Sequence, residues 1–378
     1  MDATSDSSRT VGRRGRPKGL LWLIGGVAVI VVALILGGVL LFRDWPRTAP
    51  TPLPLASLSP SPSPSPSPSP SPSPSRAPEP VWPLIGEPGE IADRPAVAVK
   101  VENSVDARPQ AGLEFADVVY EQVVEGGITR YIAVYHSQIP DLVAPIRSVR
   151  PMDGPIVAQL HPLMAFSGGQ GRFLDRARGL GVQLISNDAG APGFWRTNDR
   201  SAPHNVAGNV QNFLAQADGA HQDSPPPLFA WAAEGESSSV HTAGAPATRL
   251  DVRLSGGATP NWTWDPGSNR WLRSEGGNPA VSVGGQRLAA SHVVCLSVEL
   301  RNEGGLDPAG NPIPETIVTG SGDGLLASEG GVLPIRWSKA GDGDPTIFTD
   351  AAGAPLTLSP GTVWFELVPT GSGSYGAQ

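Results

Sequence analysis

The most strongly patterned segment of the chain is an unbroken apolar run at residues 20–42, LLWLIGGVAVIVVALILGGVLLF. A helix rises about 1.5 Å per residue, so a run of this length spans the roughly 30 Å hydrocarbon core of a bilayer. No small-residue cleavage site follows it, which argues against a cleaved signal peptide. A basic tail precedes it, with Arg9, Arg13, Arg14, Arg16 and Lys18. The positive-inside rule therefore predicts a cytoplasmic tail at 1–19, a single transmembrane helix, and an extracytoplasmic remainder.

Residues 43–81 are rich in proline, and Ser and Pro alternate without interruption from 59 to 75. Proline fixes φ and lacks an N–H, so we expect a disordered stalk with polyproline II character. At about 3.1 Å per residue, such a stalk reaches on the order of 100 Å. It therefore suits a spacer that lifts folded domains away from the membrane.

The first folded region, residues 82–227, mixes strand and helix patterns. Two β-branched runs at 118–125 and 128–137 are joined by Gly-Gly, which predicts a hairpin with a two-residue loop. Further strands are predicted at 96–101, 163–166 and 182–185, and helices at 155–160, 172–178 and 206–217, the last with Asn205 as N-cap. The mixture predicts an α+β or α/β domain.

The second folded region, residues 245–370, has almost only strand patterns with Gly-rich turns. The runs 262–264 and 270–272 flank a turn and predict a hairpin, and further strands follow up to 362–367. We expect a mainly β domain, either a small barrel or a sandwich, and a disordered tail at 371–378.

Composition and charge exclude several classes of protein. The chain has 378 residues, 16% charged residues and a formal net charge of −8, which argues against coiled coils and sequence-general nucleic-acid binding. The one cysteine, Cys295, lies in an apolar strand pattern and excludes a disulfide framework or a cysteine-rich metal site. The six histidines show no metal-ligand spacing, so we expect neither a metal nor a cofactor.

Several ordered motifs resemble the YerB-like family. They are VVYEQVVEGGITRYIAVYHS, VAPIRSVRPMD, FWRTNDRSAPHN and the closing stretch PTIFTDAAGAPLTLSPGTVWFELVP. The family comprises two-part proteins of the bacterial envelope that are classed as domains of unknown function. The resemblance implies a fold and an extracytoplasmic location, but no established reaction. Typical members are lipoproteins with a lipobox cysteine, whereas this chain has no cysteine near its apolar run.

The charges of the first predicted hairpin are a candidate site. Pairing across the Gly-Gly loop sets Glu125 opposite Ile128, so Glu121 and Glu125 share one face with Arg130. The two carboxylates are then about 13 Å apart along the strand, too far for a glycosidase pair. Either the three residues form an ion network that fixes the hairpin, or one glutamate is a base while Arg130 binds an anion.

Two further segments favour anion binding. Arg147 and Arg150 would share one side of a turn or helix, and paired guanidinium groups suit phosphate or carboxylate. The alternative is pairing with local acids such as Asp153. Ser167, Gly168 and Gly169 follow a predicted strand and precede a helix, where backbone N–H groups can approach an anion. The loop lacks the P-loop lysine and the full dinucleotide fingerprint, which favours an ordinary strand-to-helix turn.

The densest polar segment is a predicted loop that contains Trp195, Arg196, Asp199, Arg200, His204 and Asn205. Polar loop residues on a rigid scaffold often mark sites. Here His204 is predicted to act as a general acid or base, with its tautomer set by Asp199. Alternatively, Asp199 and Asn205 are turn and cap residues, and His204 is a structural hydrogen-bonder.

Two classes of function remain open. The first is a membrane-anchored protein that binds or processes an anionic envelope glycan or phosphate-containing ligand, as a hydrolase or transferase if it is an enzyme. The second is a non-catalytic envelope scaffold or partner-binding module, whose partners include other membrane proteins. Five tryptophans of the second region offer sugar-stacking faces or core packing: Trp262, Trp264, Trp271, Trp337 and Trp364.

Overall fold

A computed structural model describes residues 79–307 and 310–378 of the chain. The predicted cytoplasmic tail at 1–19, the transmembrane helix at 20–42 and nearly all of the stalk at 43–81 lie outside these residues. Within the described part, no helix is both long and apolar enough to cross a bilayer.

The N-terminal half of the described chain contains eight strands and three α-helices. The strands are β1 Val97–Glu102, β2 Val118–Val123, β3 Thr129–Tyr135, β4 Leu163–Phe166, β5 Gln183–Ser186, β6 Phe194–Arg196, β7 Val206–Gly208 and β8 Ala230–Trp231. The helices are α1 Asp153–Val157, α2 Gly171–Gly179 and α3 Val210–Leu214. Short 3₁₀ turns lie at Val105–Ala107, Leu113–Phe115, Glu125–Gly127 and Ala158–Leu160.

The C-terminal half is built almost wholly from strands, with one short helix, α4 Ser239–Ala243. Its strands are β9 Ala245–Pro246, β10 Arg249–Arg253, β11 Pro260–Asp265, β12 Arg270–Glu275, β13 Asn278–Pro279, β14 Ala289–Ala290, β15 His292–Leu306, β16 Pro312–Ile317, β17 Gly320–Ser328, β18 Gly331–Lys339, β19 Ile347–Asp350, β20 Thr357–Leu358, β21 Val363–Pro369 and β22 Ser374–Ala377. The hairpin predicted around 262–272 is confirmed as β11 and β12, with Trp264 opposite Trp271.

Strands from both halves share one mixed sheet of twelve strands, in the order β19-β18-β17-β15-β21-β2-β3-β1-β4-β5, with β16 and β9 as additional partners. The join is β21, which pairs in parallel with β15 on one side and with β2 on the other. A second sheet has six strands, in the order β13-β12-β11-β10-β22, with β14 paired to β12. The two predicted regions are therefore connected by backbone hydrogen bonds within one sheet.

The large sheet separates two hydrophobic cores, and residue alternation along its strands assigns side chains to one or the other. Val97, Val99 and Val101 pack with tryptophans of the six-stranded sheet on one face. Ala98 packs on the opposite face with Ile156 of α1. Because side chains alternate along a strand, the other even-numbered residues of β1 also lie on the α1 face.

The β2–β3 hairpin forms as predicted, but its register differs by one residue from the expected one. Gln122 lies opposite Arg130. The connection is longer than a Gly-Gly loop because Glu125–Gly127 forms a 3₁₀ turn, whose two glycines have φ of 69° and 73°. A slip of one residue turns every side chain of a strand to the other face. Glu121 and Arg130 therefore lie on opposite faces of the sheet, not on the shared face that we expected.

The helix expected at residues 206–217 is divided into strand β7 and helix α3. β7 pairs with β6, and a Cβ at Gly208 would lie 2.4 Å from the Phe213 ring, so this close packing requires glycine. α3 begins after Asn209, whose side chain accepts the Asn212 N–H at 2.9 Å. The N-cap is therefore Asn209 and not Asn205.

The closing residues, expected to be a disordered tail, instead contain strand β22. It adds to the edge of the six-stranded sheet by pairing with β10. Its Tyr375 hydroxyl lies 3.0 Å from Ser297 Oγ of β15. Backbone pairing and this side-chain contact together order the end of the chain.

Candidate functional site

The candidate site lies at the edge of the large sheet that is formed by the strand ends, where the parallel strands β1 and β4 both have their carboxyl ends. β1 ends at Glu102, and Ser167-Gly168-Gly169 follow the end of β4. β3 runs in the opposite direction, so its first residues reach the same edge and Arg130 lies opposite Glu102. Ligands of open sheets with parallel strands bind outside the carboxyl ends of the strands. The position alone makes this edge a candidate binding site.

Residues 147–149 lie between the ends of the two strands. The Arg147 N–H donates to the Lys100 carbonyl at 2.8 Å, and the Ser167 N–H donates to the Arg147 carbonyl at 3.0 Å. The Val149 N–H donates to the Gly168 carbonyl at 2.8 Å. These bonds carry Arg147 and Arg150 to the edge that Arg130 occupies. The three arginines that the sequence singled out therefore lie at one place.

Three cations of this edge are matched by carboxylates. Arg147 Nε lies 3.2 Å from Glu102 Oε1, and Arg150 Nε lies 2.5 Å from Glu125 Oε1. Lys100 Nζ lies 2.7 Å from Asp153 Oδ1 in a fully buried pair. Asp153 also accepts the Arg150 N–H at 2.7 Å and the side-chain amide of Gln122. Arg147 and Arg150 thus each have a carboxylate partner, as in the ion-pair alternative, but the partners are not local acids. They come from the end of β1 and from the β2–β3 turn, whereas the side chain of Asp153 pairs with Lys100.

Arg130 is the exception, because its guanidinium forms no salt bridge within the described residues. Its Nη1 donates to the Ser148 carbonyl at 2.9 Å, while its buried Nε has no hydrogen-bond partner in the described part of the chain. Only 4% of Arg130 is exposed. Burial, and then the nearby charges of Arg150 and Arg147, lower the pKa of Arg130 to about 9. A buried guanidinium without a partner carries a large desolvation penalty, which an incoming anion would relieve.

We call this group of residues the basic cluster; it comprises Lys100, Arg130, Arg147, Arg150, Glu102, Glu125 and Asp153. Its four cations exceed its three carboxylates by one positive charge. Burial also lowers the pKa of Lys100 to about 8, against the opposing effect of Asp153. The cluster is thus short of one negative charge, although the whole chain is acidic.

His204 lies beside the basic cluster, but its partner is Glu102 and not the expected Asp199. His204 Nδ1 lies 2.9 Å from Glu102 Oε2. A carboxylate accepts hydrogen bonds, so this contact fixes the proton of neutral His204 on Nδ1 and leaves Nε2 as the acceptor. Asp199 is exposed and lies 3.6 Å from Arg200 Nε instead. The hydrogen bond from Thr197 lowers the pKa of Asp199.

The glycine loop after β4 lies next to the basic cluster. Ser167 Oγ lies 3.5 Å from Ser148 Oγ. A Cβ at Gly168 would lie 2.2 Å from Asp188 Oδ2, so a carboxylate packs against the loop and only glycine fits. Gly169 is exposed. The close carboxylate favours an ordinary strand-to-helix turn over an anion-binding loop at Gly168.

The remaining residues of the polar segment mainly hold the β6–β7 hairpin in place. Arg196 Nη1 donates to Asn205 Oδ1 at 2.7 Å, and Asn205 Nδ2 donates to the Thr197 carbonyl at 3.1 Å. The Arg200 guanidinium donates to the carbonyls of Ala107 and Pro109. These contacts support the structural interpretation of Arg196, Arg200 and Asn205.

Trp195, on the same hairpin, is 42% exposed. Of the predicted polar segment, only His204 and its neighbour Pro203 contact the basic cluster through hydrogen bonds within the described residues.

Glu121 belongs to a different group of charges on the opposite face of the sheet. Arg273, fully buried, lies 2.5 Å from Glu121 Oε2, 2.7 Å from Glu366 Oε1 and 2.8 Å from Glu275 Oε1. Burial, Glu366 and Glu275 raise the pKa of Glu121 well above its usual range. The Arg273 guanidinium also lies over the rings of Trp364, Trp262 and Tyr131. The expected network of Glu121, Arg130 and Glu125 was therefore wrong, because the register places Glu121 and Arg130 on opposite faces of the sheet. Glu121 instead pairs with Arg273, and Glu125 pairs with Arg150.

Sequence reasoning missed Lys100, Glu102 and Arg273. The strand pattern AVAVKVE carried the signal, since charged residues at alternating positions of a buried strand need partners. Arg273 likewise follows the buried Trp271 at a two-residue spacing. Nothing in the sequence connects Arg273 to Glu121, which lies 152 residues away.

The other candidates are mostly core residues. Cys295 is buried and its pKa is raised well above the usual value by burial, which makes it a poor nucleophile. Four of the five tryptophans of the second region are buried, which favours packing over sugar stacking: Trp262, Trp271, Trp337 and Trp364. Within the described residues, no group of three or more His, Cys, Asp or Glu side chains could hold a metal ion.

Comparison with known proteins gives a consistent result for both halves of the chain. Residues 84–223 match the family described as "Protein of unknown function (DUF3048) N-terminal domain". Residues 250–365 match the corresponding C-terminal domain. The curated protein "Putative lipoprotein YerB" of Bacillus subtilis (strain 168) is 26% identical over 308 residues, which cover 76% of this chain and 86% of the relative. The crystal structure of YerB from Bacillus subtilis matches the fold with a TM-score of 0.65 at 23% identity, covering 79% of this chain and 100% of that chain.

Proposed function

Because the chain belongs to the DUF3048 family, we propose that it is a cell-envelope protein and that its basic cluster binds an anionic, phosphate-containing ligand of the envelope. The family's description assigns no activity, so the proposal rests on the geometry of the site. The cluster lies in the N-terminal part of the family match, at the carboxyl ends of β1 and β4.

The observation that carries the proposal is the unpaired, buried guanidinium of Arg130. A folded protein tolerates such a group at a cost of several kcal/mol, and function is the common reason for retaining it. Arg147 and Arg150 each form an ion pair with one carboxylate, yet both side chains remain partly exposed and able to donate further hydrogen bonds. Phosphate and carboxylate groups match the planar donor fork of arginine.

The envelope location rests on two independent observations. The relative in Bacillus subtilis is named a putative lipoprotein, which associates that protein with a membrane. The apolar run at 20–42 of this chain predicts a membrane anchor of a different kind, a transmembrane helix with the folded part outside. Both anchors would hold the same folded unit at a membrane surface.

A second candidate function, acid–base processing of the bound ligand, is favoured by the pair formed by His204 and Glu102. A carboxylate that holds one imidazole nitrogen and leaves the other free is the arrangement of a positioned general base. As a hydrolase or transferase, the protein would use His204 Nε2 for proton transfer while the arginines hold the anion. Product formed in molar excess over protein distinguishes an enzyme from a binding module, and His204→Asn should then abolish turnover.

The binding proposal is tested by thermal unfolding of the purified full-length chain in mild detergent. The probes are inorganic phosphate, glycerol phosphate, a muropeptide and a neutral sugar. A ligand at a hundred times its dissociation constant adds about 2.7 kcal/mol of stability. For a folded part of about 300 residues, this corresponds to a rise in Tm of roughly 4 °C. We expect this rise with the phosphate probes, and its loss in Arg130→Met.

A matched control is Arg178→Met, since Arg178 is exposed on α2 and, among the described residues, forms a salt bridge only with Asp175. It should leave the ligand-induced rise in Tm unchanged. An equal rise in Arg130→Met and in the native protein would contradict the proposed site. No rise with any anion would favour the scaffold or partner-binding alternative, to be followed by crosslinking to membrane proteins in cells.

A further inference from the structure

A cleft of about 460 Å³ opens on the far side of the β2–β3 turn. Its volume lies within the range of small-molecule sites, which is roughly 300–1,000 Å³. Its walls are largely apolar and come from both halves of the chain, with Val124, Leu254, Leu300, Pro312 and Pro314. The function proposed above does not use this cleft.

The cleft and the basic cluster share one wall, the turn Glu125–Gly127. Glu125 lines the cleft, and its carboxylate is the partner of Arg150 in the cluster. Ser255 Oγ, at the opposite wall, donates to the Gly127 carbonyl at 2.5 Å and fixes the turn. A bound molecule could therefore extend from the cluster over this turn and into the cleft.

The cleft carries its own unpaired cation. Arg253, at the end of β10, is exposed and forms no salt bridge within the described residues. The other arginine of the cleft, Arg301, is neutralised by Glu299, with 2.6 Å between Nε and Oε1. Glu125, the carboxylate of the shared wall, is neutralised by Arg150. The charged residues of the cleft therefore leave one net positive charge, that of Arg253. It is separated from the basic cluster by the neutral, largely apolar walls of the cleft.

We propose that the ligand is a linear polyanion in which phosphate groups are joined by uncharged linkers, as in a polyol phosphate chain. One phosphate binds at Arg130 in the basic cluster. The linker crosses the Glu125–Gly127 turn along the apolar walls of the cleft, and the next phosphate binds Arg253. This inference rests on the proposed anion-binding function of the cluster, which it extends by naming the class of ligand.

The test compares synthetic glycerol phosphate probes that carry one, two or four phosphates, titrated into the full-length chain by calorimetry. Hydrogen bonds to charged groups contribute about 1.5–3 kcal/mol when well formed. For the exposed Arg253 we therefore expect the two-phosphate probe to bind about tenfold more tightly than the one-phosphate probe. Arg253→Ala should remove this gain and leave binding of the one-phosphate probe unchanged.

The control is Arg249→Ala, which removes the same charge from the same strand. Arg249 is paired with Asp251 and does not line the cleft. It should keep the tenfold gain. Equal affinity for all probe lengths, with binding still dependent on Arg130, would overturn the extended ligand but keep the anion site. Probes that bind without dependence on Arg130 would overturn the proposed function and this inference together.

Discussion

Replacing Arg130 by methionine should stabilise the protein when no ligand is present. In most buried positions, loss of a large polar side chain is destabilising. Within the described residues, this guanidinium forms no salt bridge and its Nε has no acceptor. The charges of Arg150 and Arg147 lower its pKa further, and the smaller effects of Glu125 and Glu102 oppose them. Methionine keeps much of the side-chain length and removes the charge.

The size of the effect follows from the pKa of Arg130, which burial lowers from the ordinary arginine range to about 9. Each pKa unit corresponds to about 1.36 kcal/mol, so the charged form is disfavoured by at most roughly 5 kcal/mol. Loss of the bond to the Ser148 carbonyl costs about 1 kcal/mol, and poorer filling of the site costs a similar amount. A net gain of roughly 1–3 kcal/mol remains, or a rise in Tm of about 2–5 °C.

The lowered pKa of Arg130 also predicts that the free energy of unfolding depends on pH. Because the folded state lowers the pKa of this base, the penalty is fully present well below pH 9 and is relieved as pH rises above about 9. The advantage of Arg130→Met over the native protein should therefore shrink by roughly 1 kcal/mol between pH 7 and pH 10.

Urea unfolding of both proteins at pH 7 and pH 10, with Arg178→Met as the surface control, measures the difference. A loss of more than about 2 kcal/mol in Arg130→Met at pH 7 would refute the reasoning, because it would show that Arg130 is a structural partner of Glu102 or Glu125.

Two further predictions concern other buried groups. Lys100→Met should destabilise the protein by about 3–5 kcal/mol in urea unfolding, because it leaves Asp153 buried without its cation; an unchanged midpoint would contradict the buried pair. His292 is held neutral by burial, with a pKa lowered to about 4, and its nitrogens bond Ser328 Oγ and the Ser359 carbonyl. Since its pKa is lower in the folded state, stability should fall as pH drops from about 6.5 towards 4, by about 2–3 kcal/mol at pH 4.5. His292→Gln should lose this part of the acid sensitivity, and equal acid sensitivity in the two proteins would argue against it.

Much of the local structure could be predicted from the sequence because it depends on neighbouring residues. The short apolar run at 163–166 predicts β4 to the residue, and the turn between β11 and β12 predicts their pairing. The register of β2 and β3 could not be predicted, because it depends on whether two glycines form a tight loop or extend a 3₁₀ turn. That one-residue difference moved Glu121 to the other face of the sheet.

Three of the four cations of the basic cluster could be predicted from the sequence, whereas the pairing of its carboxylates could not. Arg130, Arg147 and Arg150 stand out in a chain with few charges. Their partners are set by sheet order, which brings Glu102 of β1 opposite Arg130 and next to residues 147–149. Local spacing suggested Asp199 as the partner of His204, whereas the sheet supplies Glu102 from 102 residues away. Long-range pairing of this kind leaves no local pattern.

The position of β21 has a consequence for how the chain acquires its structure during synthesis. This strand belongs to the last part of the sequence, yet it lies between β15 and β2 and completes the edge of β2. The β2–β3–β1 strands therefore have an open edge until Val363–Pro369 arrives. Non-local pairing of this kind is slow, and an open strand edge invites wrong partners meanwhile. Nearly all of the chain must therefore leave the ribosome before the first half can complete its sheet.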